Sequence, residues 1–168
     1  VIPINASGSG PETKVIFGAA TVEVSPPDDF YDDAPWATFG LDGSIWKKGF
    51  HGNTIEQIIN INGTWTAQEP IGVNGSVNGM TTGLDGAIWV AWIKTHWGDN
   101  TKYGFIQRVV KGKDGQWGAE DYAISVDRSP CGLVTGIDGS IWVASQDDGT
   151  VQHIVQGQDG KWFVEGPA

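Results

Sequence analysis

Three residues of different chemistry, Gln57, Arg108 and His153, hold one register in a sequence that repeats itself three times. An amide, a guanidinium and an imidazole at one locus can grade a pocket by hydrogen bonding and ion pairing, and the imidazole adds a charge that changes near neutral pH. The competing reading is three solvated strand positions free to drift. A second set, Trp65, Trp117 and Trp162, stands just after the turns "NGTW", "DGQW" and "DGKW". An indole so placed is expected near the rim, partly exposed, where it stacks on a sugar or another flat ligand. A third group, His96, Trp97 and Tyr103, falls in "KTHWGDNTKYG", the one long loop, and such loops on rigid scaffolds are where function tends to sit. The fourth is the acidic run "DDFYDD", where Asp28, Asp29, Asp32 and Asp33 offer oxygen ligands of the kind calcium or magnesium takes. Its spacing matches no EF-hand loop, so solvation is the expected state.

The elements that must carry these residues are strands. The heptad "GLDGSIW" at 40–46 returns as "GLDGAIW" at 83–89 and "GIDGSIW" at 136–142. Its tryptophans Trp46, Trp89 and Trp142 lie 43 and then 53 residues apart, near the period of propeller blades. Asp-Gly or Asn-Gly stands between the first and second extended segments of each unit and again between the third and fourth, which predicts two-residue hairpin turns with positive φ. Four antiparallel strands per unit make a blade. Propeller sheets stack on both sides, so Trp46, Trp89 and Trp142 are expected between blades. From each second-set tryptophan to the next heptad the spacing hardly varies, so the extra residues of the middle repeat all fall in the 94–104 loop.

Composition agrees. With 25 Gly, 8 Pro and one Met among 168 residues, no stretch has helical spacing, and the class is all-β. A formal charge of −10 without a basic stripe argues against nucleic acid and anionic membrane as partners. No stretch approaches the ~20 apolar residues of a helical span. The lone Cys131 admits no internal disulfide, and its apolar neighbours predict a small buried hydrophobe. The sequons at Asn5, Asn62 and Asn74, with a start at Val1, point to a secreted glycoprotein.

The expected architecture is a β-propeller of three four-stranded blades, about 34–73, 74–124 and 125–168, preceded by an N-terminal segment, 1–33. Within that segment "KVIFGAATVEV" has the β-branched content of one or two strands. Closed propellers have roughly four to eight blades, so the ring is expected to be completed by self-association, most simply a dimer of about six blades.

The repeat grammar, "DG-x-I" and a second strand followed by "DG-x-W" ahead of an acidic residue, resembles that of the fucose-specific lectins, which are six-bladed propellers. The resemblance implies sugar binding through an arginine, a glutamate and a late aromatic in each blade. Those positions hold Trp46, Trp89 and Trp142; then Gln57, Arg108 and His153; then Trp65, Trp117 and Trp162. The "DG-x-I-W" element also looks like the repeats of streptogramin lyases. That resemblance implies a seven-bladed fold and a magnesium-assisted elimination with a histidine base and carboxylates. In the sequence, His51, His96 and His153 show no carboxylate at a repeated spacing. The expected function is therefore non-enzymatic binding of carbohydrate, or alternatively of an aromatic or pigment-like organic molecule, with no required cofactor.

Overall fold

The computed structural model describes residues 16–17, 20–21 and 37–165, and the chain divides into two compact units, 1–32 and 33–168. In the first, β1 (Ile16–Phe17) and β2 (Ala20–Thr21) pair as an antiparallel two-stranded sheet. The second unit is all-β among the described residues.

Three antiparallel meanders make up the second unit. The first runs β3 (Ala37–Phe39), β4 (Ile45–Lys48), β5 (Thr54–Ile61) and β6 (Thr64–Ala67), with the short β7 (Ile71–Gly72) paired to the start of β5. The next runs β8 (Ser76–Thr82), β9 (Ile88–Thr95), β10 (Lys102–Lys111) and β11 (Trp117–Val126). The last runs β12 (Pro130–Thr135), β13 (Ile141–Ser145), β14 (Thr150–Gln156) and β15 (Trp162–Glu165). Each sheet is one propeller blade.

Alternation along the strands gives every blade two apolar faces, and these meet in two cores. Between the first and second blades lie Trp46, Ile55, Val77, Ile88, Val90 and Val109, all at most 1% exposed. Between the second and third lie Trp89, Ala91, Ile106, Ile141, Val143 and Ile154, equally buried. The innermost strands touch through threonines: Thr38 and Thr82 Oγ1 atoms lie 3.2 Å apart, and those of Thr81 and Thr135 3.3 Å. Thr82 also donates to the Phe39 carbonyl and Thr135 to the Thr82 carbonyl. These hydroxyls satisfy polar groups that face the neighbouring blade instead of water.

The heptad turns differ from the two-residue form expected. Gly40 N–H donates to the Ser44 carbonyl at 2.8 Å and Gly43 N–H to the Gly40 carbonyl at 3.0 Å, so Leu41, Asp42 and Gly43 all lie in the turn. Only the glycine takes positive φ, +80° at Gly43, +83° at Gly86 and +87° at Gly139. The aspartate instead accepts the amide two residues on, as Asp42 does from Ser44, Asp85 from Ala87 and Asp138 from Ser140. That side-chain bond favours the three-residue turn. Among the turns joining third to fourth strands, Asn62-Gly63 has both residues at positive φ and is the two-residue form.

Candidate functional site

The strand register collects the site. Trp46 faces Gln57, Trp89 faces Arg108 and Trp142 faces His153 as direct cross-strand partners, so each pair shares one face of its blade. The heptad aspartate reaches the same locus from the turn. In the second and third blades the last strand adds Glu120 and Glu165.

These equivalent loci reach different chemical states. Gln57 is buried, and its amide donates to Asp42 Oδ2 at 3.3 Å and Ser44 Oγ at 3.1 Å. Burial pushes the Asp42 carboxyl up, but the Ser44 hydroxyl and amide outweigh it and hold the group below the usual carboxylate range. Arg108 is saturated with negative charge: it donates to Asp85 at 2.5 Å and Glu120 at 3.0 Å, with its guanidinium 5.4 Å and 5.6 Å from the ring centroids of Trp89 and Trp162. His153 has a single carboxylate. Its Nδ1 lies 2.7 Å from Glu165 Oε2, its ring stacks on Trp142 at 4.0 Å and 15°, and its Nε2 is buried without a hydrogen-bond partner among the described residues. Nearby Asp138 is held below the usual range by the Ser140 hydroxyl and amide, with a smaller contribution from His153.

Two clefts open on this end of the blades and share Arg108. One, of about 510 Å³, lies between the second and third blades and is walled by Trp89, Glu120, Tyr122, Lys161 and Trp162. The other, of about 420 Å³, lies between the first and second, with Asp42, Asp85, Lys111 and Trp117 on its walls. Trp117 meets Trp46 edge-on at 4.7 Å and 73°, and Trp162 meets Trp89 at 4.8 Å and 77°. Trp65, Trp117 and Trp162 are all partly buried.

The loop cluster is not brought to this locus. β9 and β10 continue as a hairpin almost to its tip, and the turn is closed by His96 N–H donating to the Thr101 carbonyl. Tyr103 stands five residues from Arg108 on β10, roughly 17 Å at about 3.3 Å per residue, at the opposite end of the strand. Trp97 is fully exposed and His96 pairs with Asp99 at 3.1 Å. Asp28, Asp29, Asp32 and Asp33 lie outside the described residues, as does Asn5. Among the described residues no three His, Cys, Asp or Glu side chains gather as metal ligands, so the magnesium implied by the lyase resemblance has no ligand set there. Cys131 is partly exposed where burial was expected, with its Sγ 3.6 Å from the Ala144 carbonyl.

As site residues, Asp85, Glu120 and Glu165, the last being the carboxylate partner of His153, escaped the reading of the sequence. A signal was present: Glu120 and Glu165 each follow a second-set tryptophan by three residues, in "WGAE" and "WFVE".

No family model and no curated protein matches this sequence. Solved structures match the fold. A Bacteroides fragilis protein named as a 6-phosphogluconolactonase aligns over 86% of this chain and 40% of its own, with 14% identity and a TM-score of 0.60. Virginiamycin B lyase from Staphylococcus aureus, solved with quinupristin as a catalytically inactive histidine-to-alanine variant, aligns over 87% of this chain and 44% of its own, with 20% identity and a TM-score of 0.51. The fold is a β-propeller. At these identities the likeness shows the fold alone, and the chain spans less than half the length of either neighbour.

Both neighbours are enzymes by name and neither is a lectin, which corrects the expectation of a fucose-lectin-type, non-enzymatic binder of carbohydrate or pigment. The lyase resemblance holds at the level of fold. Packing gives a reason for the correction. The indoles of Trp117 and Trp162, assigned to sugar stacking, are engaged with Trp46 and Trp89 in the joints between blades.

Proposed function

We propose that this chain is part of a propeller enzyme in which His153 moves the proton and Glu165 orients its imidazole. The observation that carries the reading is the contrast within one register. Gln57 cannot exchange a proton at neutral pH, and Arg108 stays charged and is occupied by two carboxylates. His153 alone combines a titratable ring, an orienting carboxylate at Nδ1 and an Nε2 without a partner. A carboxylate on Nδ1 selects the tautomer that leaves Nε2 free to accept a proton, and it stabilises the imidazolium that results. Trp142 fixes the ring plane by stacking.

The neighbours' names support proton-transfer chemistry and direct the choice of substrate. The lyase is inactive once a histidine is replaced by alanine, and the other neighbour is named for a lactone. The reading we favour is opening of a lactone ring. Substrate must first open the packing over His153 Nε2, which is buried; Nε2 then takes a proton from water, the hydroxide adds to the ring carbonyl, and the ring C–O bond breaks. The imidazolium then returns the proton to the departing alkoxide.

The test is hydrolysis of a panel of six-membered sugar lactones, 6-phosphogluconolactone included, by the full chain. His153→Ala is expected to lower kcat by about 10²–10⁴-fold with an unchanged circular dichroism spectrum. Glu165→Gln should lower kcat less. A wild-type chain that turns over no lactone, or a His153→Ala variant of undiminished kcat, overturns the reading.

A further inference from the structure

The chain builds the same joint between blades twice, and among the described residues its first and third blades carry the two halves of a third. At each internal joint the heptad tryptophan of one blade is capped edge-on by the second-set tryptophan of the next: Trp46 by Trp117, Trp89 by Trp162. The leucine of the heptad turn also reaches over the next blade's turn glycine. A Cβ on Gly86 would stand 3.8 Å from Leu41 Cδ1, and one on Gly139 3.9 Å from Leu84 Cδ1. Third, the inner strands meet as a residue pair, Thr38 with Thr82 and Thr81 with Thr135.

The first two of these contacts have a donor half on the third blade and an acceptor half on the first. Trp142 is 43% exposed, against 0% and 1% for Trp46 and Trp89, and Ile137, in the place of Leu41 and Leu84, is fully exposed. On the first blade Trp65 holds the capping position, and a Cβ on Gly43 would meet nothing within 4 Å. At the inner strand Val134 stands where Thr38 and Thr81 stand. The hydroxyl of the internal joints is thus replaced on the third blade by an apolar side chain that is 64% exposed.

We infer that the occupant of these faces is a second copy of this chain, joined head to tail so that the third blade of each copy packs on the first blade of the other. Two such joints, related by a twofold axis, close a six-bladed ring. The argument is continuity with an interface the chain already forms twice. The same joint would place Trp65 of the second copy beside His153, as Trp162 lies beside Arg108. That consequence bears on the proposed catalytic role; the joint itself does not depend on it.

Light scattering on the full chain tests the inference without substrate, so its outcome is independent of lactone turnover. Twice the 17.9 kDa of one chain is expected, falling to the single value for Ile137→Asp and for Val134→Asp. Both sites are exposed within one chain, and circular dichroism checks that each variant folds. A wild-type mass of 17.9 kDa at 0.1 mM overturns the inference, and would mean that other residues of this chain or further blades of a longer one cover the faces. A mass that climbs beyond two copies with concentration overturns the closed ring. Two aspartate variants that both remain dimeric place the interface elsewhere and overturn the joint.

Discussion

At the scale of the residue, the decisive variable is how many carboxylates reach one position. Gln57, Arg108 and His153 are set by the same cross-strand register, yet they receive different surroundings: an aspartate–serine pair, two carboxylates and one glutamate. Arg108 then acts as a brace. Its planar fork spans a turn carboxylate and a strand carboxylate while lying close to two indoles, which a lysine's single ammonium cannot do. We expect Arg108→Met to lower stability by about 1–2 kcal/mol in urea unfolding, a figure reduced for the partial exposure of Asp85 and Glu120. Arg108→Lys should recover only part of that loss. A variant as stable as the wild type would show that the two ion pairs contribute nothing net.

At the scale of the element, the turns at the two ends of a blade have different work. The heptad turns deliver an aspartate to the candidate site. At the opposite end, the connection from β11 to β12 is clamped by the β13–β14 turn and the start of β14: the Asp127 N–H donates to Gln152 at 2.7 Å, the Arg128 N–H to Asp148 at 2.7 Å and the Ser129 hydroxyl to Asp147 at 2.5 Å. The guanidinium of Arg128 also bonds Asp148. The Ser129 hydroxyl holds the Asp147 carboxyl below its ordinary 3.8, and the Arg128 guanidinium and amide do the same for Asp148. A carboxylate whose folded pKa is depressed contributes stability that is present above the unfolded value and lost as pH falls through the folded one. The clamp should therefore loosen as acid is added below about pH 4, and Asp148→Ala should destabilise at pH 7 while flattening the acid limb of the stability curve. Unfolding midpoints measured from pH 7 to pH 2 check this. An acid limb as steep in the variant as in the wild type would show that Asp148 plays no part in it.

For the whole molecule, stability rests on apolar joints within a strongly acidic chain, and the proposed assembly would rest on one more. The formal charge is −10, so two copies repel through solvent while the proposed joint is made of Trp142, Ile137, Val134 and their counterparts. Raising salt from about 0.01 to 0.15 M shortens the Debye length from roughly 30 to 8 Å and screens that repulsion. The dimer dissociation constant should fall over this range, as measured by sedimentation equilibrium. An interface held by ion pairs would show the opposite slope, and a rising constant would count against the apolar joint.

The sequence by itself determined the blades. Strand alternation, turn vocabulary and a threefold heptad are local signals, and they sufficed for three four-stranded sheets with Trp46 and Trp89 between them, because each strand's neighbours lie close along the chain. The turn geometry was less legible, since Asp-Gly is compatible with both turn lengths and the aspartate's bond to the amide two residues on selected the longer one. The states of Gln57, Arg108 and His153 were decided only by tertiary structure. Asp85 and Glu120 stand 23 and 12 residues from Arg108, and Glu165 stands 12 from His153, so pairing register brings them within hydrogen-bond distance. Tertiary structure also separated three tryptophans of one heptad into two buried and one half-exposed, for a reason no local pattern carries: Trp46 and Trp89 are capped by the second-set tryptophan of the following blade, and among the described residues Trp142 meets no such cap.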